Sequence, residues 1–325
     1  MIRKVVQNLN YIKKGELYNG GEYDKFKQHF FTAIDRIASM PMVMNKVASG
    51  IITSEDVDLV KFLYTVGCCT EEQLYHYAAL NNIQDVKSRL DRMIFNLIIN
   101  KFVCTDENRT VSYPADACVF YCMHSGGQIL LEQMADEIRV VDWNSGKCVM
   151  GARKLIKTCA IAEISLRVLC TTGVRTEVTP YPSAVLFDKR TKEVRHMSSL
   201  ASYRYVFPDG TDDILLLDAL FTYNHRYDVK QAIDTYVSFL TTGHWKKFYG
   251  KMEEAPKLLI LVEDVENAEK IGEEFATVLK DKEVNIYFLP IKDLVNISDE
   301  PPYFPLLAYD SNEQRAVRKD CYFFS

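Results

Sequence analysis

The sequence lacks the signals that most directly assign a chemistry. It has no Gly-rich phosphate loop, no HExxH pattern and no Ser/His/Asp arrangement, so nucleotide hydrolysis, zinc proteolysis and acyl transfer have no support in it. No apolar run approaches the ~20 residues that a bilayer-spanning helix needs, and no membrane partner is expected. Positive charge is not in excess: the formal net charge is −5. There is no C-x-x-C pair among the nine cysteines, and Cys118-x-x-x-Cys122 lacks a second Cys or His pair at zinc-finger spacing. An odd cysteine count without a signal peptide reads as reduced, mostly buried thiols in a cytoplasmic protein.

What is present is ordinary globular composition, 48% hydrophobic and 26% charged over 325 residues, enough for two or three domains. The charge is uneven. Residues 1–110 carry 14 Lys+Arg against 13 Asp+Glu, which leaves 25 against 31 for the rest. Any DNA contact therefore belongs to a local patch in the front of the chain.

Residues 1–50 read as a polar arm followed by a helix over 24–48, with Phe26, Phe30, Ala33, Ile34 and Ile37 on one face. Residues 51–143 read as a winged helix. Ser54 has no capping box, because Val57 stands where Glu or Gln would be needed, but Thr53 or Ser54 can still cap a helix ending at Gly67. Thr70 with Gln73 is a capping box that opens a short helix ending near Asn81. A third helix follows over Ile83–Ile99, its inward face made of Val86, Leu90, Met93, Ile94, Leu97 and Ile98. Two extended stretches, Lys101–Thr105 and Thr110–Cys122, supply the hairpin.

In such a module the third helix enters the major groove and the wing touches the backbone. Its outward face carries Ser88 and Arg92, flanked by Gln84, Arg89 and Asn96, residue types that grip guanine or adenine. Lys101 and Arg109 on the wing suit phosphates. Double-stranded DNA is the expected partner. Asp85 and Asp91 near the same face count against it, and winged helices also dock proteins. A positive surface around Arg92 and Arg109 favours DNA; an apolar or acidic one favours a protein.

Residues 144–298 read as an α/β domain, the boundary falling at Trp143-Asn144-Ser145-Gly146, and residues 299–325 as a tail. A helix over Ala152–Thr171 is apolar on two faces and is expected between its own sheet and the front half. Strands are expected at Thr176–Phe187, Ser202–Phe207, Ile214–Tyr223, Lys257–Glu263 and Val284–Leu289, with helices at Asp228–Leu240 and Ala268–Leu279. Asp218 lies in a strand apolar on both faces, so it is expected to be buried and to need a partner, a metal or a function.

Glu163 on a helix, Pro208-Asp209, then Asp218 on the next strand is the layout of nucleases with the PD-(D/E)xK motif. There the strand acids hold Mg²⁺ and a lysine two positions on faces the same side. Here that position is Leu220. Asp209, Asp218 and Glu163 are thus candidates for a vestigial site with weak Mg²⁺ or Mn²⁺ affinity, and no other cofactor is expected. In the alternative of a working nuclease, Lys230 on the following helix replaces the missing lysine; otherwise it lays its stem over the sheet.

Together these features resemble the replication-relaxation family of bacterial plasmid and mobile-element proteins. The matching stretches are the helices over Ser54–Asn100, Tyr121–Leu131, Ile161–Leu169, Phe207-Pro208-Asp209, Leu217-Asp218, and Lys230 with Tyr236 and Trp245, together spanning residues 50–295. The resemblance implies an α+β chain, an N-terminal winged helix-turn-helix followed by a restriction-endonuclease-like domain, and a role in replication or mobilisation of plasmid-type DNA. The chain departs from the family at Leu216, where an acid is more usual. The expected function is a non-catalytic DNA-binding accessory. The alternatives are a nuclease with a migrated lysine and a protein-docking or antitoxin-like scaffold.

Overall fold

The computed structural model describes residues 26–106, 119–135, 148–149, 152–169, 175–187, 192, 194–207, 209–220, 226–250, 252, 254–280, 282, 284–294, 304–310 and 312–321. The fold is mixed α+β, and the chain divides into two units, Met1–Leu169 and Cys170–Ser325.

The front unit begins with a strand where the spacing predicts a helix. β1 (Phe26–Phe30) pairs antiparallel with β3 (Ile99–Asp106), setting Phe30 against Phe102 with ring centroids 5.0 Å apart. Residues i and i+4 share a face in a helix and in a strand alike, so Phe26 and Phe30 fit both; the open edge of β3 decides between them. The helix that follows, α1 (Met40–Ala48), starts only at Ser39, with Pro41 in its first turn, and Ile37 is exposed.

α2 (Ser54–Val66) is capped by Thr53, and Asp56 fills the third helical position: its Oδ2 accepts from the Thr53 backbone N–H at 2.8 Å. Gly67, at φ +79°, ends it. Residues Cys68–Thr70 form β2, absent from the sequence expectation, before Thr70 and Gln73 cap α3 (Glu71–Leu80) reciprocally at 3.1 Å. α4 spans only Val86–Phe95, not Ile83–Ile99. Leu97 takes φ +59°, and the Ile98 N–H reaches the Met93 carbonyl while the Leu97 N–H reaches Ile94, which is a Schellman stop. Leu97, Ile98 and Ile99 stay buried, so the apolar pattern outlasts the helix.

β3 pairs antiparallel with β4 (Val119–Met123), β4 with β2, and the sheet order is β1-β3-β4-β2. α5 (Ser125–Met134) starts beneath this sheet, where Gly126 is required: a Cβ there would lie 2.6 Å from the Leu97 carbonyl oxygen. α6 (Ala152–Leu169) belongs to this unit and packs on β2, α3 and α2. The division after Leu169 falls beyond the boundary expected at 143–146, residues that lie outside those described.

The back unit is built on a seven-stranded sheet in the order β13 (Arg315–Cys321), β12 (Phe304–Asp310), β11 (Ile286–Pro290), β10 (Lys257–Val262), β9 (Asp212–Ala219), β8 (Ala201–Val206), β5 (Arg175–Pro180). β9, β10 and β11 run parallel; β8 and β5 continue one side antiparallel. The stretch expected as one strand over Thr176–Phe187 is two, β5 and β6 (Ser183–Phe187), and β6 pairs instead with β7 (Val194–Ser198). The expected tail is a hairpin, β12 (Phe304–Asp310) and β13 (Arg315–Cys321), added antiparallel to β11. Its pattern is masked in the sequence by Pro301, Pro302 and Pro305, residues that argue against a strand wherever pairing is not known. α7 (Arg226–Thr241) and α9 (Val265–Leu279), with the short α8 (Lys246–Tyr249) and α10 (Ile291–Leu294), complete the unit. The core gathers Ile214, Leu216, Leu258 and Ile260 of the sheet with Ile233, Phe239, Ile271 and Phe275 of the helices.

Candidate functional site

The helix expected to read DNA presents a different set of side chains from the expected one. Gln84 and Ser88 are exposed as foreseen. Arg89 and Arg92 are not free. The Asp56 carboxylate, 0% exposed, receives Arg89 Nη1 at 3.1 Å and Arg92 Nη2 at 3.2 Å. Arg89 also bonds Glu55, the Thr53 hydroxyl at 2.9 Å and the Gln84 carbonyl at 2.8 Å. A fully buried carboxylate is tolerated only when paired and hydrogen-bonded, and here two guanidiniums do both. The same contacts fix α4 against the start of α2.

Asn96 is the C-cap of α4 and is buried, its Nδ2 donating to the Arg92 carbonyl at 2.8 Å, a bond back to its own helix that a helical wheel does not show. Lys101 sits 5.2 Å above the Phe31 ring and 5.8 Å from that of Tyr121, with Glu71 Oε1 at 4.0 Å. Arg109 lies outside the described residues. The exposed stripe of α4 is Lys87, Ser88, Asp91 and Phe95, the last 82% exposed. Burial first, and then the Glu71 and Asp91 carboxylates, push the Tyr75 phenol above its ordinary value. Asp56 and Phe95 are the residues sequence reading missed. Thr53-x-x-Asp56 is a capping box with Asp at the third position, and admitting Asp there would have found it.

The three acids foreseen as a metal set do not converge. Asp209 is exposed in the turn between β8 and β9, where its carboxylate accepts from the Thr211 N–H at 2.9 Å and the Thr211 hydroxyl at 2.7 Å. Those bonds hold it below the usual carboxylate range. Asp218 is near the other end of β9. Six residues of strand from Asp212 to Asp218 span about 20 Å, too far for one ion. Asp218 is half-buried rather than buried; Oδ1 accepts from the Ala219 N–H at 2.7 Å, and the Tyr236 hydroxyl lies 2.5 Å from Oδ2 and 2.9 Å from the Ser198 carbonyl. Glu163 belongs to the front unit, where Gln73 donates to it at 3.1 Å and Arg167 at 3.3 Å. Among the described residues no group of three or more His, Cys, Asp or Glu side chains is placed to hold a metal ion. Leu220 is buried and Lys230 is exposed. Lys230 precedes Tyr236 by six residues, so it lies about 120° around α7 from the side chain that meets Asp218.

Comparison with protein-family models, with curated proteins and with solved structures finds no match to this chain. Among the described residues no helix is long and apolar enough to cross a membrane.

Proposed function

We propose that this chain is a non-catalytic binding protein whose front unit is a winged helix that docks a protein partner. Its setting is the one the family resemblance implies, as an accessory in replication or mobilisation of plasmid-type DNA. The order α2, β2, α3, α4, β3, β4, with β2 paired to β4 and β4 to β3, supports the winged-helix reading. In the back unit, β5, β8 and β9 in antiparallel succession, then α7 and a parallel β10, support the restriction-endonuclease-like reading. The wide separation of Asp209 from Asp218 favours a version of it without hydrolysis, because metal-assisted cleavage needs both acids on one ion.

The observation that carries the choice of partner is the capture of Arg89 and Arg92 by Asp56. Bidentate readout of guanine and the strongest phosphate contacts come from Arg and Lys, and these two guanidiniums are committed within the unit. What remains outward on α3 and α4 is Glu72, Asp85 and Asp91 against Lys87, with Phe95 and Tyr75 exposed beside them. Acids repel phosphate, and exposed aromatic side chains are the material of protein interfaces.

Double-stranded DNA is the second reading, favoured by the exposed Gln84, Lys87 and Ser88. An anisotropy titration with duplex fragments at low salt separates the two. The expected result is no saturable binding at micromolar protein. Saturable binding weakened by Lys87→Ala would replace the docking reading with the DNA one. The positive arm places a photo-crosslinker at Phe95, identifies the adduct and reconstitutes it from purified components. Phe95→Asp is expected to weaken that complex at least ~10-fold, the ~1.4 kcal/mol or more that truncating a central aromatic contact costs.

A further inference from the structure

Five cysteines of the front unit are buried and unbridged: Cys68, Cys69, Cys122, Cys148 and Cys159. Four of them stand side by side. The β2–β4 ladder sets Cys68 directly across from Cys122, so their side chains leave the same face of the sheet. Cys159 arrives from α6. Its carbonyl accepts from Gln73 Nε2 at 2.9 Å, and Gln73 also clamps Thr70, two residues beyond Cys68. This brings the Cys159 thiol within hydrogen-bonding reach of the Cys68 thiol. Cys148 donates its thiol hydrogen to the Met123 carbonyl at 3.4 Å, beside Cys122, and lies within hydrogen-bonding reach of the Cys122 thiol.

The four cysteines therefore form a row, Cys159, Cys68, Cys122, Cys148, made of two hydrogen-bonding pairs whose inner members face each other across the β2–β4 ladder. The row does not close around a point as a metal cradle does. A disulfide between the members of a pair needs the sulfurs to close to ~2.05 Å.

We propose that Cys68 with Cys159, and Cys122 with Cys148, are oxidation sites at which a low-molecular-weight disulfide converts each dithiol into an internal disulfide. One protein thiolate attacks a sulfur of the small disulfide, forming a mixed disulfide and expelling one small thiolate. The neighbouring cysteine, after losing its proton to water, attacks the protein-side sulfur of that mixed disulfide and expels the second small thiolate. Each protein pair loses two protons and two electrons, and the small disulfide becomes two small thiols. Burial raises the Cys68 thiol, and the hydrogen bond to Cys148 and then burial raise that of Cys122, so attack waits on local opening around α6 and the sheet edge, and the sites answer sustained rather than brief oxidation. Once formed, the Cys68–Cys159 bond ties α6 to β2 and stabilises the unit by restricting the unfolded chain.

The test uses the full chain, fully reduced, held under native conditions with excess oxidised glutathione. It is then quenched in acid, alkylated in denaturant and mapped by mass spectrometry without reduction. The expected map contains a Cys68–Cys159 link and a Cys122–Cys148 link, with fragmentation placing the first at Cys68 rather than Cys69. The unfolding midpoint is expected to rise by several degrees, and dithiothreitol to reverse both changes. Cys159→Ser should lose the first link and keep the second, and Cys148→Ser the converse. Should either variant fail to fold, the wild-type map decides alone. Free thiols throughout, glutathione adducts only, or links between other cysteines would overturn the proposal.

Discussion

Two aspartates, one in each unit, meet burial in opposite ways. Asp56 in the front unit is fully buried and takes two guanidiniums. Asp218 in the back unit is half-buried and takes a phenol hydroxyl and a backbone N–H. Removing a carboxylate from water entirely costs several kcal/mol unless opposite charge replaces the hydration, whereas partial exposure lets neutral donors suffice. The same difference decides what each residue leaves for function. Asp56 uses up the cations that a DNA-reading helix would present. Asp218 perturbs its partner instead: burial, and then the nearby carboxylate, push the Tyr236 phenol well above its ordinary value.

The largest effect expected from this contrast is at Asp56. Asp56→Ala takes a carboxylate from both guanidiniums, which are 14% and 30% exposed and so regain some hydration, while Arg89 keeps Glu55 and the Thr53 hydroxyl. A loss of about 3 kcal/mol in a urea titration is expected, the low end for breaking a buried ion pair. A loss below ~1 kcal/mol would put the pair among surface salt bridges and end the contrast.

Next comes Tyr236→Phe, which removes one hydrogen bond from a carboxylate that water can still reach. It should cost about 1–2 kcal/mol by the same titration. A cost equal to that of Asp56→Ala would mean that Asp218 depends on its partner as strongly as Asp56 does.

A third measurement extends the comparison to a buried base. His124 caps α5: its Nδ1 accepts the Ser125 N–H at 2.8 Å, so the proton sits on Nε2, facing the Ala33 carbonyl at 3.4 Å. Burial is the main cause that lowers its pKa from 6.5, with Arg36 adding to it against the Ala33 bond. The unfolded chain therefore binds the proton first as pH falls. Stability from this group is complete above pH 6.5, declines as pH drops from there through the folded value, and then levels off. Urea titrations over that range should show the decline in the wild type and its absence in His124→Asn, which keeps a side-chain acceptor at the cap.

The smallest effect is expected at Asp209. Its carboxylate organises an exposed turn and lies at the far end of β9 from Asp218. Asp209→Ala should leave the unfolding midpoint within error, and millimolar Mg²⁺ or Mn²⁺ should not move the wild-type midpoint. A metal-dependent rise abolished by Asp209→Ala would return the turn to the metal-binding reading.

Much of the element order was legible. The Thr70–Gln73 box, the stop at Gly67 and the parallel pair β10 and β11 around α9 all follow from local patterns. The extent of α4 was not, because Leu97, Ile98 and Ile99 continue the helical spacing after Leu97 has turned the chain. The candidate sites were less legible still. Helical periodicity places Arg89 and Arg92 toward one side of α4 but carries no information about Asp56, 33 residues from Arg89 and 36 from Arg92. Glu163, Asp209 and Asp218 look alike as acids in a motif. Only the strand register, which sets Val206 against Asp212 and Ala201 against Leu217, puts the latter two at opposite ends of β9.

By itself the sequence determined where most helices and strands form, since capping, turn chemistry and apolar spacing act over a few residues. The tertiary structure alone decided that Phe26–Phe30 is a strand, that residues 304–321 extend the sheet, and that α6 belongs with the front unit. It also decided which charges are free. A strand is stabilised by a partner edge and a buried charge by an opposite one, and both partners come from parts of the chain that only folding brings near.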